Sequence, residues 1–449
     1  MQVRKDYTKG SITRHILSLT IPGTGAIAVV SVSSLADAYW LGRLGSDALA
    51  AASMGMALRM VMISLLMGVS MGGSALVARY VGANDHRRAN RAALQMAFLV
   101  TGFVGFLGIA GYVWARPLLH LVGARGEVLS LGVEWFRVVC LGLLFMELLP
   151  SMNQALYGAG SPEKALLANL VASVSLMVLE PLLVLGWGPV SAMGIRGAAL
   201  AQVLGSAAGV ALQAYFFLSG KARVKVDRQD FRVDSVMMGR VMRLAVPTGV
   251  TRLMTNLAAT LAYAVMAPFG AAVVAGYSIA SKVLAFSFAL PGGVATAPQA
   301  LVGQNLGAAK PERAKRAGWL AAGLAAMITA AEMVVILILD RRIVALFSDS
   351  VDVMAESVRC LRFLALAQIA YSADYCLSAS LRSAGDTVSP MWINLGSLWL
   401  VSLPLMYGLG HVLGWGPVGI WSGMGIAHLV QLLAMAVRFR QGKWMTREV

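Results

Sequence analysis

Long apolar runs follow one another along almost the whole chain, and short polar segments separate them. Twelve of these runs are about 20 residues or longer, which is the length an α-helix needs to cross the hydrocarbon layer of a membrane. The second and eighth runs have glycine-rich ends that would also suit loops. The pattern predicts an all-α integral membrane protein with twelve transmembrane helices, at residues 16–42, 48–78, 92–114, 129–156, 164–186, 195–219, 241–267, 271–302, 317–339, 355–381, 388–413 and 418–437.

The second half of the chain repeats the first half at one constant shift in residue number. Residues 77–93 and 302–318 are identical at seven of 17 positions, and the same shift aligns Pro22 with Pro247. Each repeat contains six spans, an even number, so both repeats begin on the same side of the membrane and run parallel. We therefore predict two parallel six-helix repeats around a central cavity, divided into an N-lobe (1–219), a cytoplasmic linker (220–240) and a C-lobe (241–449).

Composition and charge agree with a membrane protein. Hydrophobic residues make up 58% of the chain and charged residues 13%, against about 25% charged residues in soluble proteins. The net charge of +16 comes from short basic clusters between the spans. With a cytoplasmic N-terminus, 25 Lys and Arg residues fall inside and 6 outside, as the positive-inside rule requires. We expect both termini in the cytoplasm, insertion in the cell (inner) membrane and no binding of nucleic acid.

Motifs of enzymes are absent from the sequence. It contains no phosphate-binding P-loop, no H-E-x-x-H or G-x-S-x-G motif and no histidine cluster, and its three cysteines lack the spacing of a metal site. We therefore expect a protein that is not an enzyme and has no cofactor. Transport by such a chain would draw on an ion gradient or on a separate ATPase subunit.

Ionisable residues inside the spans are the candidates for function, because they are costly in lipid and usually face a cavity or a partner. Asp37 and Glu180 lie at a similar depth, roughly 8 Å below the outer end of their outward-running spans. Two carboxyl groups at one level favour a shared proton or a bound monovalent cation. The shift of the repeat places Ala262 and Leu405 at the equivalent positions, so the predicted ion site belongs to the first repeat alone.

Other ionisable side chains inside the spans are candidates for lining a substrate cavity. The first repeat contributes Glu147, and the second contributes Arg252, Lys282, Glu332 and Asp374. The four charges of the second repeat either pair with one another or contact substrate, and the sequence leaves both possibilities open.

Several motifs resemble those of one transporter family over essentially the whole chain. They are Pro22 followed by LADAYWLGRLG at 35–45, ALVARYVGAND at 75–85 with its copy ALVGQNLGAAK at 300–310, and LYGAGSP and LRSAGDT after the fourth and tenth spans. These segments resemble the multidrug and toxic compound extrusion (MATE) family. The resemblance implies twelve helices in two lobes and the export of amphipathic, often cationic, drugs and metabolites in exchange for protons or sodium.

The resemblance also implies site residues, and the chain is nearer the DinF-like branch of the family. That branch couples to ions through an Asp in helix one, an Asn in helix four, and an Asn and an Asp in helix five. Asp37, Asn153 and Glu180 match three of these positions, whereas Leu176 replaces the helix-five Asn. A missing neutral oxygen weakens a sodium site more than a protonation site, so we favour protons over a sodium ion at Asp37 and Glu180.

The other large branch of the family uses an acid in helix seven and an Asp in helix ten. Thr255 stands at the first of these positions, and Asp374 lies about one turn from the second. The resemblance therefore gives Thr255 and Asp374 a secondary place in the substrate cavity.

Two alternatives to an antiporter stay open. The first is a flippase of the same superfamily for a lipid or lipid-linked oligosaccharide, which would need a strongly cationic cavity. The second is a channel or receptor, although the duplication favours a transporter whose halves rock against each other. The expected partners are a small-molecule substrate and the lipid bilayer, and we expect a monomer.

Overall fold

The computed structural model describes residues 6–187, 191–226 and 231–447, and these residues form α-helices and no β-strand. Residues 227–230 of the predicted linker and the two chain ends lie outside the described residues. The helices are α1 (Ile12–Arg43), α2 (Ser46–Gly82), α3 (His86–Val113), α4 (Ala115–Leu121), α5 (Gly126–Gly158), α6 (Pro162–Leu185), α7 (Gly194–Leu218), α8 (Ser235–Met266), α9 (Ala271–Ser287), α10 (Ala289–Gly307), α11 (Pro311–Ala345), α12 (Val351–Ser383), α13 (Val388–Leu395), α14 (Leu403–Tyr407) and α15 (Pro417–Arg440).

The length and apolarity of these helices confirm an all-α integral membrane fold. In the described part of the chain, nine helices are long and apolar enough to cross a membrane, or ten if α9 and α10 form one span bent by 45°. The predicted seventh and tenth spans coincide with α8 and α12, which are long enough but do not meet the same test of composition. Both carry ionisable residues within the span, Arg252 in α8 and Asp374 in α12.

The helices form two compact units whose boundaries lie inside α1 and α8. One unit, here the N-unit, is Gly25–Gly249, and the other, the C-unit, is Met1–Thr24 with Val250–Val449. The two boundaries are separated by the shift that also relates the two sequence repeats. The start of α1 therefore packs in the C-unit and the start of α8 in the N-unit. The predicted lobes instead place all of α1 in the N-lobe and residues 241–266 of α8 in the C-lobe, and these boundaries stay a prediction.

Glycines at equivalent positions of the two repeats allow the start of α8 to pack in the N-unit and the start of α1 to pack in the C-unit. In the N-unit, a Cβ at Gly68 of α2 would lie 2.3 Å from the carbonyl oxygen of Ala245 in α8. In the C-unit, a Cβ at Gly293 of α10 would lie 2.6 Å from the Cα of Thr24 in α1. The shift of the repeat aligns Gly68 with Gly293, so the same close backbone contact occurs once in each unit. Small residues of this kind let membrane helices approach closely.

The prolines that interrupt the apolar runs lie within helices. Five of them stand inside long helices: Pro22 in α1, Pro150 in α5, Pro181 in α6, Pro247 in α8 and Pro298 in α10. Pro291 lies in the first turn of α10, where its missing N–H costs little. The bend of 45° between α9 and α10 immediately precedes this turn. The predicted eleventh span contains two π-helical stretches, Gly396–Ser402 and Gly408–Val412.

We expect Gly197→Ala to destabilise the N-unit. A Cβ at Gly197 of α7 would lie 2.4 Å from the carbonyl oxygen of Leu183 and 3.0 Å from the backbone nitrogen of Val184, both in α6. Backbone atoms yield little, so overpacking should cost about 1–3 kcal/mol and lower the midpoint of thermal unfolding in detergent. The control is Gly105→Ala in α3, where no atom lies within 4 Å. Equal midpoints for the two variants would contradict the close packing of α6 and α7.

Candidate functional site

The acids Asp37 and Glu180 lie against each other inside the N-unit. Asp37 on α1 is 4% exposed and Glu180 on α6 is 0% exposed. Their carboxyl groups are close enough to share a hydrogen bond when one of them holds a proton. Two carboxylates in contact and away from water cannot both be charged at low cost, so the arrangement suits one shared proton or one bound cation. The structure thus brings the two predicted acids together, and their role in coupling stays a prediction.

An amide that the sequence analysis missed completes this pair. Gln202 on α7 donates its side-chain N–H to Oδ1 of Asp37 at 2.7 Å. The side chain of Leu176 on α6 offers no hydrogen bond, and the amide that contacts Asp37 comes from α7 instead. The signal for Gln202 was an uncharged amide in an otherwise apolar span. Over the described ranges, no cluster of three or more His, Cys, Asp or Glu side chains that suits a metal ion is found.

Asn153 lies in a different network. Its side-chain N–H donates to Asn169 at 2.9 Å, and its oxygen accepts from Gln213 at 2.8 Å. Asn169 and Glu180 stand eleven residues apart on α6, which is roughly 16 Å along a helix axis. The structure therefore does not bring Asn153 to the acid pair. The rise along α6 separates the level of Asn169, which Asn153 contacts, from that of Glu180, and the coupling role that the resemblance implies for Asn153 stays a prediction.

Glu147 forms an ion pair within the N-unit. Its Oε1 accepts hydrogen bonds from Nη2 of Arg59 at 2.6 Å and from Nε at 3.0 Å. The side chains of Arg59 and Glu147 are 18% and 6% exposed, and the pair joins α2 to α5. An isolated carboxylate in the apolar layer would be costly, so Arg59 explains why Glu147 is tolerated there. The structure places this predicted cavity residue in a helix-to-helix contact.

The predicted cavity residues of the C-unit differ in their surroundings. Asp374 on α12 is buried, and its Oδ2 accepts a hydrogen bond from Gln431 on α15 at 2.7 Å. Thr255 on α8 donates to the side-chain oxygen of Asn394 on α13 at 3.2 Å. The structure therefore connects Asp374 and Thr255 to two different helices and does not bring them together through a shared hydrogen bond.

The remaining charges of the C-unit do not neutralise one another. Arg252 and Glu332 are half-buried and Lys282 is exposed. As far as the structure describes the chain, no ion pair within 4 Å joins any of Arg252, Lys282, Glu332 and Asp374 to another of them. The described structure thus shows no mutual pairing of these four side chains, and their contact with substrate stays a prediction.

Tyr371 and Tyr375 stand on either side of Asp374 along α12, and further rings and an arginine lie close to these two tyrosines. The guanidinium of Arg382 lies 5.7 Å from the ring centre of Tyr375, and the ring of His428 lies 5.4 Å from that of Tyr371. We name this group the arginine–aromatic cluster, which consists of Arg252, Phe288, Tyr371, Asp374, Tyr375, Arg382 and His428. Arg382 lies one residue beyond the predicted span 355–381, whereas in the structure it is in the last turn of α12.

A family model agrees with this arrangement of the chain. The model described as MatE matches residues 22–182 and 247–407. The two matched ranges are offset from each other by the shift of the internal repeat. The match covers well over half of the chain and includes Asp37, Glu180 and Asp374.

Individual relatives and a solved structure extend over the full length. The chain is 23% identical over 452 residues to the probable multidrug resistance protein YoeA of Bacillus subtilis, covering 100% of this chain and 97% of that protein. It is 25% identical over 437 residues to the FAD transporter of Shewanella oneidensis, covering 97% and 96%. The structure of a MOP superfamily transporter from Pyrococcus furiosus, whose binding pocket of reversed polarity suggests a different function, is 24% identical with a TM-score of 0.91 over 98% of each chain.

We expect Glu147→Gln to destabilise the protein, because it leaves the charge of Arg59 in the apolar interior without a charged partner. The cost should be up to about 3 kcal/mol, measured as a lower midpoint of thermal unfolding. The double variant Arg59→Met with Glu147→Met should recover most of this loss. Glu356→Gln is the control, since its partner Arg359 is 50% exposed and exposed pairs contribute about 0.5 kcal/mol. Unchanged stability with lost substrate binding would instead favour Glu147 as a cavity residue.

Proposed function

Since the chain belongs to the MATE family of multidrug efflux transporters, we propose that it is a secondary active antiporter. It exports small amphipathic or cationic drugs and metabolites in exchange for protons or sodium. The observation that carries the proposal is the contact between Asp37 and Glu180 in the buried interior of the N-unit. A family of this kind moves its substrate without covalent chemistry, so no catalytic residue is required.

The acid pair supplies the ion-dependent step of this proposal. When the pair holds one proton or one cation, the two carboxyl groups tolerate each other; when it is empty, their repulsion acts between α1 and α6. Because α1 begins in the C-unit and carries Asp37 in the N-unit, a change in the packing of α1 acts on both units. Binding of the ion then favours the state that releases substrate, as alternating access requires.

The surroundings of Asp37 support protons as the coupling ion. Gln202 presents an N–H, and not an oxygen, to the carboxylate, and the side chain of Leu176 has no polar atom. A sodium ion needs several oxygen ligands, whereas a proton needs only the two carboxyl groups. Sodium therefore remains the alternative, and the proton is the ion that we propose.

The setting of this function follows from the basic loops. The proposal includes insertion in the cell (inner) membrane with both termini in the cytoplasm, which the excess of Lys and Arg on one side supports. It also includes action as a monomer, with the bilayer and a small molecule as the partners. The similarity to an FAD transporter supports metabolites as well as drugs among the substrates.

We expect Asp37→Asn and Glu180→Gln each to lower ion-driven efflux at least about tenfold, because each removes one member of the pair that binds the ion. Efflux of a fluorescent substrate is measured in proteoliposomes with proton and sodium gradients imposed separately. Glu134→Gln is the matched control, since this carboxylate is 39% exposed and pairs with Arg196 at 3.2 Å. Proton-driven efflux that persists in Asp37→Asn would sink the proposed mechanism, and efflux driven by sodium alone would establish the sodium alternative.

A further inference from the structure

Arg382 has hydrogen-bond donors that the protein does not use. Its Nη1 donates to Oγ of Ser378 one turn earlier on α12. Its Nε and Nη2 are shielded from solvent and have no hydrogen-bond partner among residues 6–187, 191–226 and 231–447. The Nε and Nη2 edge of a guanidinium donates two parallel hydrogen bonds to a carboxylate or a phosphate. Arg382 therefore has the form of an oxyanion receptor, and no carboxylate of the described chain occupies it.

The charges around Arg382 leave the arginine–aromatic cluster positive. The half-buried Arg252 repels Arg382 electrostatically, and Asp374 attracts it. None of these three side chains belongs to an ion pair within 4 Å in the part of the chain that the structure describes. Two arginines and one carboxylate carry a net charge of about +1, which one bound anion would balance.

The rings of the cluster form an apolar side next to this charge. Phe288 lies 4.9 Å from Tyr375 and 5.9 Å from Tyr371, measured between ring centres. His428 meets Tyr371 edge-on at 5.4 Å. All four rings are half-buried, so part of each ring remains accessible. Rings at these separations stack or pack edge-on against a further planar ring.

We propose that the arginine–aromatic cluster binds planar aromatic compounds that carry a carboxylate or phosphate group. This inference rests on the proposed function, for which it names a substrate class. The anionic group accepts hydrogen bonds from Nε and Nη2 of Arg382, and the ring packs among Tyr371, Tyr375 and Phe288. Oδ1 of Asp374, for which the described residues offer no partner, accepts an N–H or O–H of the compound. Tyr375 covers the guanidinium, so its ring rotates aside when the compound binds.

Matched pairs of probes test this proposal by direct binding to the full-length protein in nanodiscs. Flavin mononucleotide and riboflavin share one ring system and differ by a phosphate; pyrenecarboxylate and pyrenemethanol share another and differ by a carboxylate. We expect the anionic member of at least one pair to bind about tenfold or more tightly than its neutral counterpart. The two pairs separate recognition of phosphate from recognition of carboxylate. Ethidium, a planar cation, is the comparison.

Variants assign the preference to Arg382. Arg382→Gln should remove the tenfold preference for the anion. Arg382→Lys should keep part of this preference, because lysine retains the positive charge but lacks the two parallel N–H donors of the guanidinium. Arg359→Gln, at a half-exposed position on the same helix, should leave the preference unchanged. Asp374→Asn should strengthen binding of pyrenecarboxylate, which has no N–H or O–H to donate to Oδ1, because the change removes a competing negative charge.

Opposite results would overturn the proposal. Tighter binding of ethidium than of either anion, lost in Asp374→Asn, would make the cluster a cation site. Equal binding of anionic and neutral probes would also contradict it. If Arg382→Gln does not fold, Tyr375→Leu tests the ring side, and it should weaken both members of a pair equally. Binding is measured without an ion gradient, so its outcome is independent of the efflux test of antiport.

Discussion

The hydrocarbon layer offers no water to polar groups, and the described structure depends on that constraint. Helices satisfy their backbone groups internally, and charged side chains need partners within the protein. The ion pair of Arg59 and Glu147 shows how the constraint is met at 2.6 Å between two helices. With polar groups satisfied, the helices pack by close backbone contact, as Gly68 and Gly293 do at equivalent positions of the repeat. A polar group that breaks this rule therefore needs an explanation.

Among the described residues, two side chains each have two buried polar atoms without a hydrogen-bond partner, and they lie in different units. Glu180, in the N-unit, contacts Asp37 but has no donor among the described residues for either of its oxygens. Arg382, in the C-unit, has two shielded nitrogens without an acceptor in the same described ranges. Unpaired buried groups cost free energy. In our proposals a bound proton or cation removes that cost at Glu180, and a bound organic anion removes it at Arg382. Ion and substrate then bind at separate sites, and their coupling depends on helices that extend from one unit to the other, as α1 and α8 do.

Local chemistry explains what the sequence alone could predict. Span length and apolarity are properties of single segments, so the apolar runs of the sequence predicted the helices. The constant rise per residue of a helix also predicted that Asp37 and Glu180 lie at the same level. Contacts between helices depend on how each helix is rotated, so the contact of Gln202 with Asp37 was missed. Arg382 was missed for another reason, since α12 extends beyond the predicted span 355–381. The sequence also could not predict that the start of α1 packs in the C-unit and the start of α8 in the N-unit, because the two copies of the repeat carry the same packing residues. Asn153 was assigned by resemblance, which gives a helix but not the level along it.

The sign of the substrate charge determines how strongly the membrane potential assists export. A proton that moves inward carries one positive charge in the direction favoured by a negative interior, worth about 2.3 kcal/mol per 100 mV. Export of a monovalent cation moves one charge back and cancels this contribution. Export of a monovalent anion adds an equal contribution, so exchange of one proton for one anion draws on about twice that free energy. Exchange of one proton at the proposed Asp37–Glu180 pair for one anion at the proposed Arg382 site would therefore draw on the membrane potential twice, whereas exchange for a monovalent cation would not draw on it.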